Sequence, residues 1–405
     1  MREIPQNLTE QQKAKLLRKK KRRVRFWYIF IPIILMLSIV AYAAALSFKP
    51  PEVSKEKQII LDDNGTPITV TDANRKQNFI TVLLVGEDQI SQSTDTIMLA
   101  AFDIANNKLN LLSIPRDTIT GMNATNKKIN AAYTYACQTA RLEARNKGIQ
   151  ISEQEVEAAG MEGIKREVTN IIGFSPDKYA LIKLDGFEKI IDYIGGVEVD
   201  VPMNMKYTDK NQGLYINLKK GVQTLNGKQA MWFVRFRHGY VDADLGRIKA
   251  QQSFMKALQV KLTSPENLLK LPQIVSTVFS SVTTDMKTGE LLWLANQAKN
   301  VPKENLETDT LPGTPHYLDN LSYFHSNPQE TLTLINDKYN PYIDAIKRLN
   351  LSRYNWYISG GMSNSAPKVT KTPATPKPTV KATETLAPTP TARPISTPSL
   401  APTGT

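Results

Sequence analysis

Cysteine is nearly absent: Cys137 is the only one in 405 residues. No intramolecular disulfide can form. Cys137 falls in an apolar helical pattern around Tyr133 to Ala144, where it reads as a small apolar residue rather than a nucleophile. Histidine is scarce too, and His238, His316 and His325 are scattered without zinc-ligand spacing. There is neither a Gly-rich phosphate loop nor a nucleophile elbow. Charge is missing altogether from Phe26 to Phe48.

That uncharged stretch has the ~20 apolar residues a helix needs to cross a bilayer. Phe26, Trp27 and Tyr28 stand at one end, and Tyr42 and Phe48 toward the other, as aromatic rings do at lipid headgroups. Ten Lys or Arg against Glu3 and Glu10 precede it, so the amino-terminal side is expected in the cytoplasm and all that follows Lys49 outside. A cleaved signal peptide is the rival, with Ala43-Ala44-Ala45 as a cleavage site, but its apolar core would normally be only ~7–15 residues. The reading is an uncleaved anchor at 26–48 behind a basic cytoplasmic tail at 1–25.

The net charge of +13 is a property of the ends. The first twenty-five residues carry +8 and the last forty +4, leaving +1 between them. A basic pI is therefore weak support for a nucleic-acid-binding body, and no nucleic-acid partner is expected. Residues 363–405 collapse to Thr, Pro, Ala and Lys, which cannot bury enough apolar area to fold. Residues 49–77 read as a polar spacer or short hairpin around the turn signal Asp63-Asn64-Gly65.

Between these ends lies a patterned body, 78–362. Apolar strands are predicted at Phe79–Gly86, Asp95–Asp103 and Lys108–Pro115, with a short hairpin link at Ala105-Asn106-Asn107. Helices are predicted at 131–147 and 153–171, a strand at Tyr179–Leu184, a helix over "GFEKIIDYIG" and a strand at Gly196–Pro202. A helix over "LNGKQAMWFVRFRH" leading into an apolar-charged segment, an amphipathic helix at Gly246–Leu262 and apolar helical patterns at 267–282 and 288–298 follow. Strands alternating with helices predict a sheet sandwiched by helices, α/β or α+β.

The polar residues of this body gather in two groups. Asp88 follows one strand, Asp95 precedes the next, and the third strand ends in Pro115-Arg116-Asp117. Two carboxylates at one sheet edge suit a divalent cation with water and phosphate completing its shell, though an Asp after a Gly-ended strand also serves as turn chemistry. Arg116 alone would be expected to pair with Asp117 or a neighbour. The second group, "RFRHGYVDADLGRIKAQQ", supplies Arg235, Arg237, Asp244, Arg247 and Gln251. On an extended segment Arg235 and Arg237 would share a side, and on a helix Arg247 and Gln251 share a face. A solvated basic surface is the alternative, weakened by the apolar neighbours Trp232, Phe233 and Phe236.

The ordered motifs "LLVGED", "STDTIMLAAFD", "LNLLSIPRDT", "KINAAY", "IGGVEVDVP", "LNGKQAMWFVRFR" and "DLGRIKAQQ" resemble those of the LytR-CpsA-Psr family over Asn78 to Leu262, with a family-like "ETDTLPG" at Glu307–Gly313. The resemblance implies an α/β/α sandwich with a central mixed β-sheet, tethered outside a bacterial cell membrane by one transmembrane helix. It implies transfer of a glycopolymer, teichoic acid or capsule, from an undecaprenyl-pyrophosphate carrier to peptidoglycan. By the same resemblance Asp88 and Asp95 would hold Mg²⁺, or Mn²⁺ by the same oxygen chemistry. Arg116, Lys128, Arg235, Arg237, Arg247 and Gln251 would bind the pyrophosphate; Arg116, Asp244 and Arg247 would be catalytic, with Asp244 the base. Two departures stand out: Ile90 and Ala250 occupy positions where the family often has arginine. A membrane-tethered lipid-binding receptor without turnover is the alternative, and hydrolysis in place of transfer stays open.

Overall fold

The computed structural model describes residues 49–53, 58–61, 67–70, 75–88, 93–122, 126–210, 214–240, 244–318, 321–347 and 349. The predicted span at 26–48, the basic tail and the segment 363–405 lie outside these. Among the described residues no helix is long and apolar enough to cross a membrane.

Residues 49–77, expected as a spacer, carry an antiparallel hairpin, β1 (Gln58–Leu61) with β2 (Pro67–Val70), and pack onto the body where Arg75 pairs with the buried Asp177. Then β3 (Phe79–Asp88), β4 (Ser93–Asp103) and β5 (Lys108–Ser113) form an antiparallel meander. Helices α1 (Ala132–Asn146) and α2 (Glu153–Ile172) follow. Strand β6 (Lys178–Lys183) returns parallel to β3. After α3 (Leu184–Tyr193) come β7 (Val197–Val201), β8 (Met205–Asp209), β9 (Leu214–Leu218) and β10 (Gly221–Leu225). Helices α4 (Gly227–Arg235), α5 (Asp244–Leu262), α6 (Pro265–Leu269) and α7 (Leu271–Ser281) lead to β11 (Val282–Thr284) and α8 (Thr288–Ala298). Finally come β12 (Leu306–Thr310), the hairpin β13 (Gly313–Leu318) and β14 (Leu321–Ser326), α9 (Pro328–Leu334) and a π-helical turn (Ile335–Tyr339).

The central sheet has six strands in the order β11-β6-β3-β4-β5-β12, parallel at β3–β6 and β5–β12 and antiparallel elsewhere. Side chains alternate across a strand, and here both faces are buried. From β3 and β4, Phe79, Leu83, Val85, Ile97 and Leu99 pack under Tyr133, Ile164 and Val168 of α1 and α2. Ile80, Val82 and Ala100 pack on the other face with Met286 and Leu294. Leu83, Leu99, Leu111 and Leu112 are fully buried, each contributing ~1.5–3 kcal/mol relative to exposure. Helices on both faces of a mixed sheet make the sandwich expected from the alternation of elements.

A second apolar cluster fills a lobe beside the sheet, where Val197, Val199 and Val201 of β7 meet Phe233 of α4 and Phe254 of α5. In β7 and β9 buried and exposed residues strictly alternate, as half-covered strands do. This lobe sits at the end of the sheet where β3 finishes, β4 begins and β5 finishes, which places the helix α4–α5 junction over that end.

Two predicted elements change. The apolar pattern 267–282 divides into α6 and α7 with Pro272 in the first turn of the second helix, and its end pairs with β6 as β11. Arg235 and Arg237 do not share an extended segment: Arg235 is the last residue of α4, and the chain turns extended at Phe236. The short strands β8, β9, β10, β12, β13 and β14 had no counterpart in the sequence reading.

Candidate active site

The ladder between β3 and β4 is regular until it skips one residue. Gly86 lies opposite Thr96 and Glu87 opposite Thr94, so Asp95 has no partner strand position. Such a bulge re-aims a side chain, and Asp95 turns to Arg116: its Oδ1 accepts from Arg116 Nη1 at 2.6 Å. Arg116 itself follows β5 and Pro115. Of the expected partners, Asp117 or a neighbour, the neighbour Asp95 is the close one: Arg116 Nε is a long 3.9 Å from Asp117, as it is from Asp244.

Helix α4 starts in a capping box, Asn226 with Gln229, which satisfies its first amides and fixes where the helix ends. At that end Arg235 Nη2 donates to Asp88 Oδ2 at 2.8 Å. Asp88 is 4% exposed, so the sheet edge and the α4 terminus are joined by an ion pair largely removed from water. Helix α5 opens with Asp244, where a carboxylate complements the helix dipole. One turn on, Arg247 lies 2.7 Å from Asp244 and donates to the backbone carbonyl of Asp95 at 3.3 Å. Gln251, the next turn of the same face, donates to Thr96 Oγ1 and to the carbonyl of Val234. Its amide thus fastens α5 to β4 and α4.

Burial draws the Arg116 guanidinium down, but Asp95 beside it, then Asp117 and Asp244, leave it above its ordinary value. Burial dominates at Arg247 and pulls it below the usual arginine range despite Asp244; a guanidinium there is still charged at neutral pH. Among the described residues the buried Nε–H groups of Arg116 and Arg247 have no hydrogen-bond acceptor. Buried donors without acceptors are rare, and here two occur on adjacent arginines.

A cavity of about 110 Å³ opens at this end of the sheet, lined by Asp88, Asp95, Arg116, Arg235, Arg237 and Arg247. Of the residues picked out from sequence, these six share its wall. Arg237 is exposed. Asp244 approaches Arg247 and Arg116 but does not line the cavity. Lys128 is drawn aside, 3.1 Å from Asp117 and over the ring of Tyr323, and it does not line the cavity. Ser93, Tyr207, Asp209, Leu214 and His238 complete the wall and were not singled out from sequence as site residues. A signal for part of them exists in "YTDKNQGLYI", where turn residues separate two alternating runs and mark a hairpin.

Among the described residues no group of three or more His, Cys, Asp or Glu is arranged to hold a metal ion. Cys137 is buried against α2, its thiol donating to the carbonyl of Val156 and pushed up by burial, as suits an inert core residue. A larger groove of about 660 Å³ runs along α1 and α2, with Ala132, Ala136 and Ala140 on its wall beside Glu162 and Arg166.

The chain matches the LytR_cpsA_psr family over residues 44–339. It is 28% identical over 243 residues to the polyisoprenyl-teichoic acid–peptidoglycan teichoic acid transferase TagV of Bacillus subtilis, covering 59% of this chain and 56% of that protein. The cell wall biosynthesis protein LcpA of Corynebacterium glutamicum is 34% identical over 240 residues, 57% of this chain and 45% of that one. The regulatory protein MsrR of Staphylococcus aureus is 30% identical over 211 residues, 51% and 56% of the two chains. This chain thus spans about half the length of the curated relatives it matches. The crystal structure of B. subtilis TagV superposes with a TM-score of 0.51 at 26% identity, over 64% of this chain and 95% of that one.

Proposed function

The chain belongs to the LytR_cpsA_psr family, and from that premise we propose that it is a membrane-anchored phosphotransferase. Its donor is a glycopolymer of the teichoic acid or capsule type on an undecaprenyl-pyrophosphate carrier, and its acceptor is peptidoglycan outside the cell membrane. TagV, named as a teichoic acid transferase to peptidoglycan, supports the class of reaction. The observation that carries it is the cavity at the sheet edge, where Arg116, Arg235, Arg237 and Arg247 converge and two buried guanidinium Nε–H groups have no acceptor among the described residues. Phosphate oxygens are the acceptors such forks suit.

In this reading a sugar hydroxyl of the acceptor attacks the phosphorus that carries the glycopolymer. The bridging P–O bond breaks, polyprenyl phosphate leaves, and a phosphodiester to peptidoglycan forms. Negative charge grows on the leaving phosphate, and the fixed guanidinium groups of Arg116 and Arg247 stabilise it without reorganising. Asp244, 2.7 Å from Arg247 and 3.9 Å from Arg116, is outside the cavity wall; it holds the two guanidinium groups and would take the hydroxyl proton through an intervening water. Arg235 and Arg237 hold the phosphates. Gln251 acts through position, keeping α5 against β4, and Lys128 acts by orienting Asp117.

Asp88 and Asp95 fit a divalent cation by donor chemistry, since hard carboxylate oxygens beside phosphate are the usual Mg²⁺ or Mn²⁺ environment. When bound, the ion would neutralise phosphate charge. Both carboxylates accept from arginine in this structure, so the cation and the two guanidinium groups would divide the carboxylate oxygens. The groove along α1 and α2 is proposed for part of the carrier's apolar chain.

The test is full-length protein in liposomes with a polyprenyl-pyrophosphoryl oligosaccharide and un-crosslinked glycan strands, followed for lipid phosphate release and glycan attachment with and without Mg²⁺. Attachment lost in Arg116→Ala is expected. Donor binding without turnover across several acceptors would replace the transferase with a tethered lipid receptor, and phosphate release without attachment would make it a hydrolase.

A further inference from the structure

The end of the sheet opposite the cavity receives the segment 49–53. Pro51 is buried there, and the backbone N–H of Glu52 donates to Glu290 Oε1 at 2.8 Å. Glu290 lies in the first turn of α8 and also pairs with Lys178, the first residue of β6. Because β6 runs parallel to β3, its start lies toward Phe79 and away from Asp88. Two large apolar side chains stand out from this end. Leu269, 86% exposed, is the last residue of α6. Helix α5 has carried the chain there from Asp244 at the cavity: Gln259 near its far end donates to the Val301 carbonyl, and Asn305 just beyond donates to the carbonyl of Asn107 in the β4–β5 turn. Ile343, 68% exposed, follows Tyr342, which bridges to Arg75, and Arg75 donates to the carbonyl of Phe79. The two come from different layers, since Tyr342 packs with the α1–α2 core and Met255 of α5 with the core on the other face.

We infer that this end of the body rests on the outer surface of the bilayer, with Leu269 and Ile343 seated at the boundary of headgroups and acyl chains and the cavity turned away from the membrane. The inference rests on the membrane anchor proposed above, at 26–48, and adds a fixed orientation to it. Phe48, the last residue of that apolar stretch, stands four residues before Glu52, and four residues span at most ~14 Å. With Glu52 fastened to α8, the far end of the sheet is held within that distance of the point where the chain leaves the lipid. A pocket on another protein would take one of the two side chains. A flat apolar layer takes both, although they project from opposite sides of the sheet, and each gains as its area leaves water. Strand β3 has ten residues, and at ~3.3 Å each it holds Asp88 about 30 Å from Phe79. The cavity therefore opens toward the acceptor, and the donor's phosphates are raised to it along the body.

The experiment makes Leu269→Cys, Ile343→Cys and Tyr215→Cys singly in the full-length chain and labels each with an environment-sensitive fluorophore. Each protein is reconstituted in liposomes with and without headgroup spin-labelled lipid. Cys137 is buried and stays unlabelled. Tyr215, 55% exposed, adjoins the cavity-lining Leu214 and serves as the control at the cavity end. Quenching at 269 and 343 is expected to be several-fold stronger than at 215. Adding Leu269→Glu should weaken the quenching at 343, and Ile343→Glu that at 269, because each loosens the shared seat. Quenching that neither glutamate moves would overturn the part given to the two side chains. Equal quenching at all three positions, or none, in protein that floats with the liposomes overturns the orientation and leaves the anchor standing. Protein that is not recovered with the liposomes overturns the anchor and the orientation with it.

Discussion

Asp95 and Arg116 meet at 2.6 Å because the β3–β4 ladder skips Asp95. A regular strand would have sent this carboxylate to the α1–α2 face with Ile97 and Leu99. The bulge releases it to the sheet edge, where Arg247 also grips its backbone carbonyl. One backbone irregularity therefore fixes a carboxylate and two guanidinium groups together.

Arg116→Lys is expected to lower turnover by roughly 10²–10³, the usual loss when one fixed donor to developing charge is removed. Lysine keeps the charge but lacks the planar fork. The Arg116 and Asp95 side chains are 20% and 26% exposed, so thermal stability should hardly change. A large fall in Tm alongside the loss of turnover would mean that the pair is chiefly structural.

The pair Asp88–Arg235 behaves differently. Its side chains are 5% and 12% exposed, and removing one partner leaves a charge with little water to solvate it. Asp88→Ala should cost about 3–5 kcal/mol of stability, whereas Asp95→Asn should cost about 1 kcal/mol or less. Urea unfolding of the two variants checks this, and equal midpoints would refute the difference in burial.

Much of this site was legible because its residues sit at element ends. Asp88 and Asp95 flank a turn between two apolar runs, and Arg116 follows a third, so an antiparallel meander must bring them to one edge. Arg247 and Gln251, four apart, are placed on one helix face by their spacing. The role of Gln251 was not legible, since the spacing that groups it with Arg247 says nothing of Thr96 and Val234, which take its amide. Tyr207 and Asp209 escaped notice because β8 has five residues and its buried face depends on a lobe assembled from distant segments. Strand β12 pairs with β5 across nearly two hundred residues, a register that no local pattern encodes.

The crossing of α1 and α2 gives a prediction on stability alone. A Cβ on Gly163 would run into the side chain of Ala136, and one on Gly160 would come within 2.5 Å of Cys137 Sγ. In an open helix, glycine to alanine stabilises by ~1 kcal/mol. Here Gly163→Ala should instead destabilise, by about 1–3 kcal/mol, because the helices must part. A denaturation midpoint that rises would show that the two helices are free to separate at no cost.

Glu87 faces away from the cavity, toward the α1–α2 side. Burial raises its carboxyl above the ordinary carboxylate range, against the opposing pull of Lys183, and Glu157, Glu153 and Asp88 push it the same way. A raised carboxyl means that the folded state holds its proton longer than the unfolded chain does. Stability from this group is therefore complete below the unfolded value and is lost as pH rises through the folded one. Glu87→Gln keeps the shape and removes the titration. Relative to wild type the variant should gain little in acid and become the more stable protein at neutral pH, with a flatter dependence on pH between the two. Urea midpoints across that range measure it. A variant that is weaker at neutral pH would mean that the attraction between Glu87 and Lys183 outweighs the cost of burying the carboxylate.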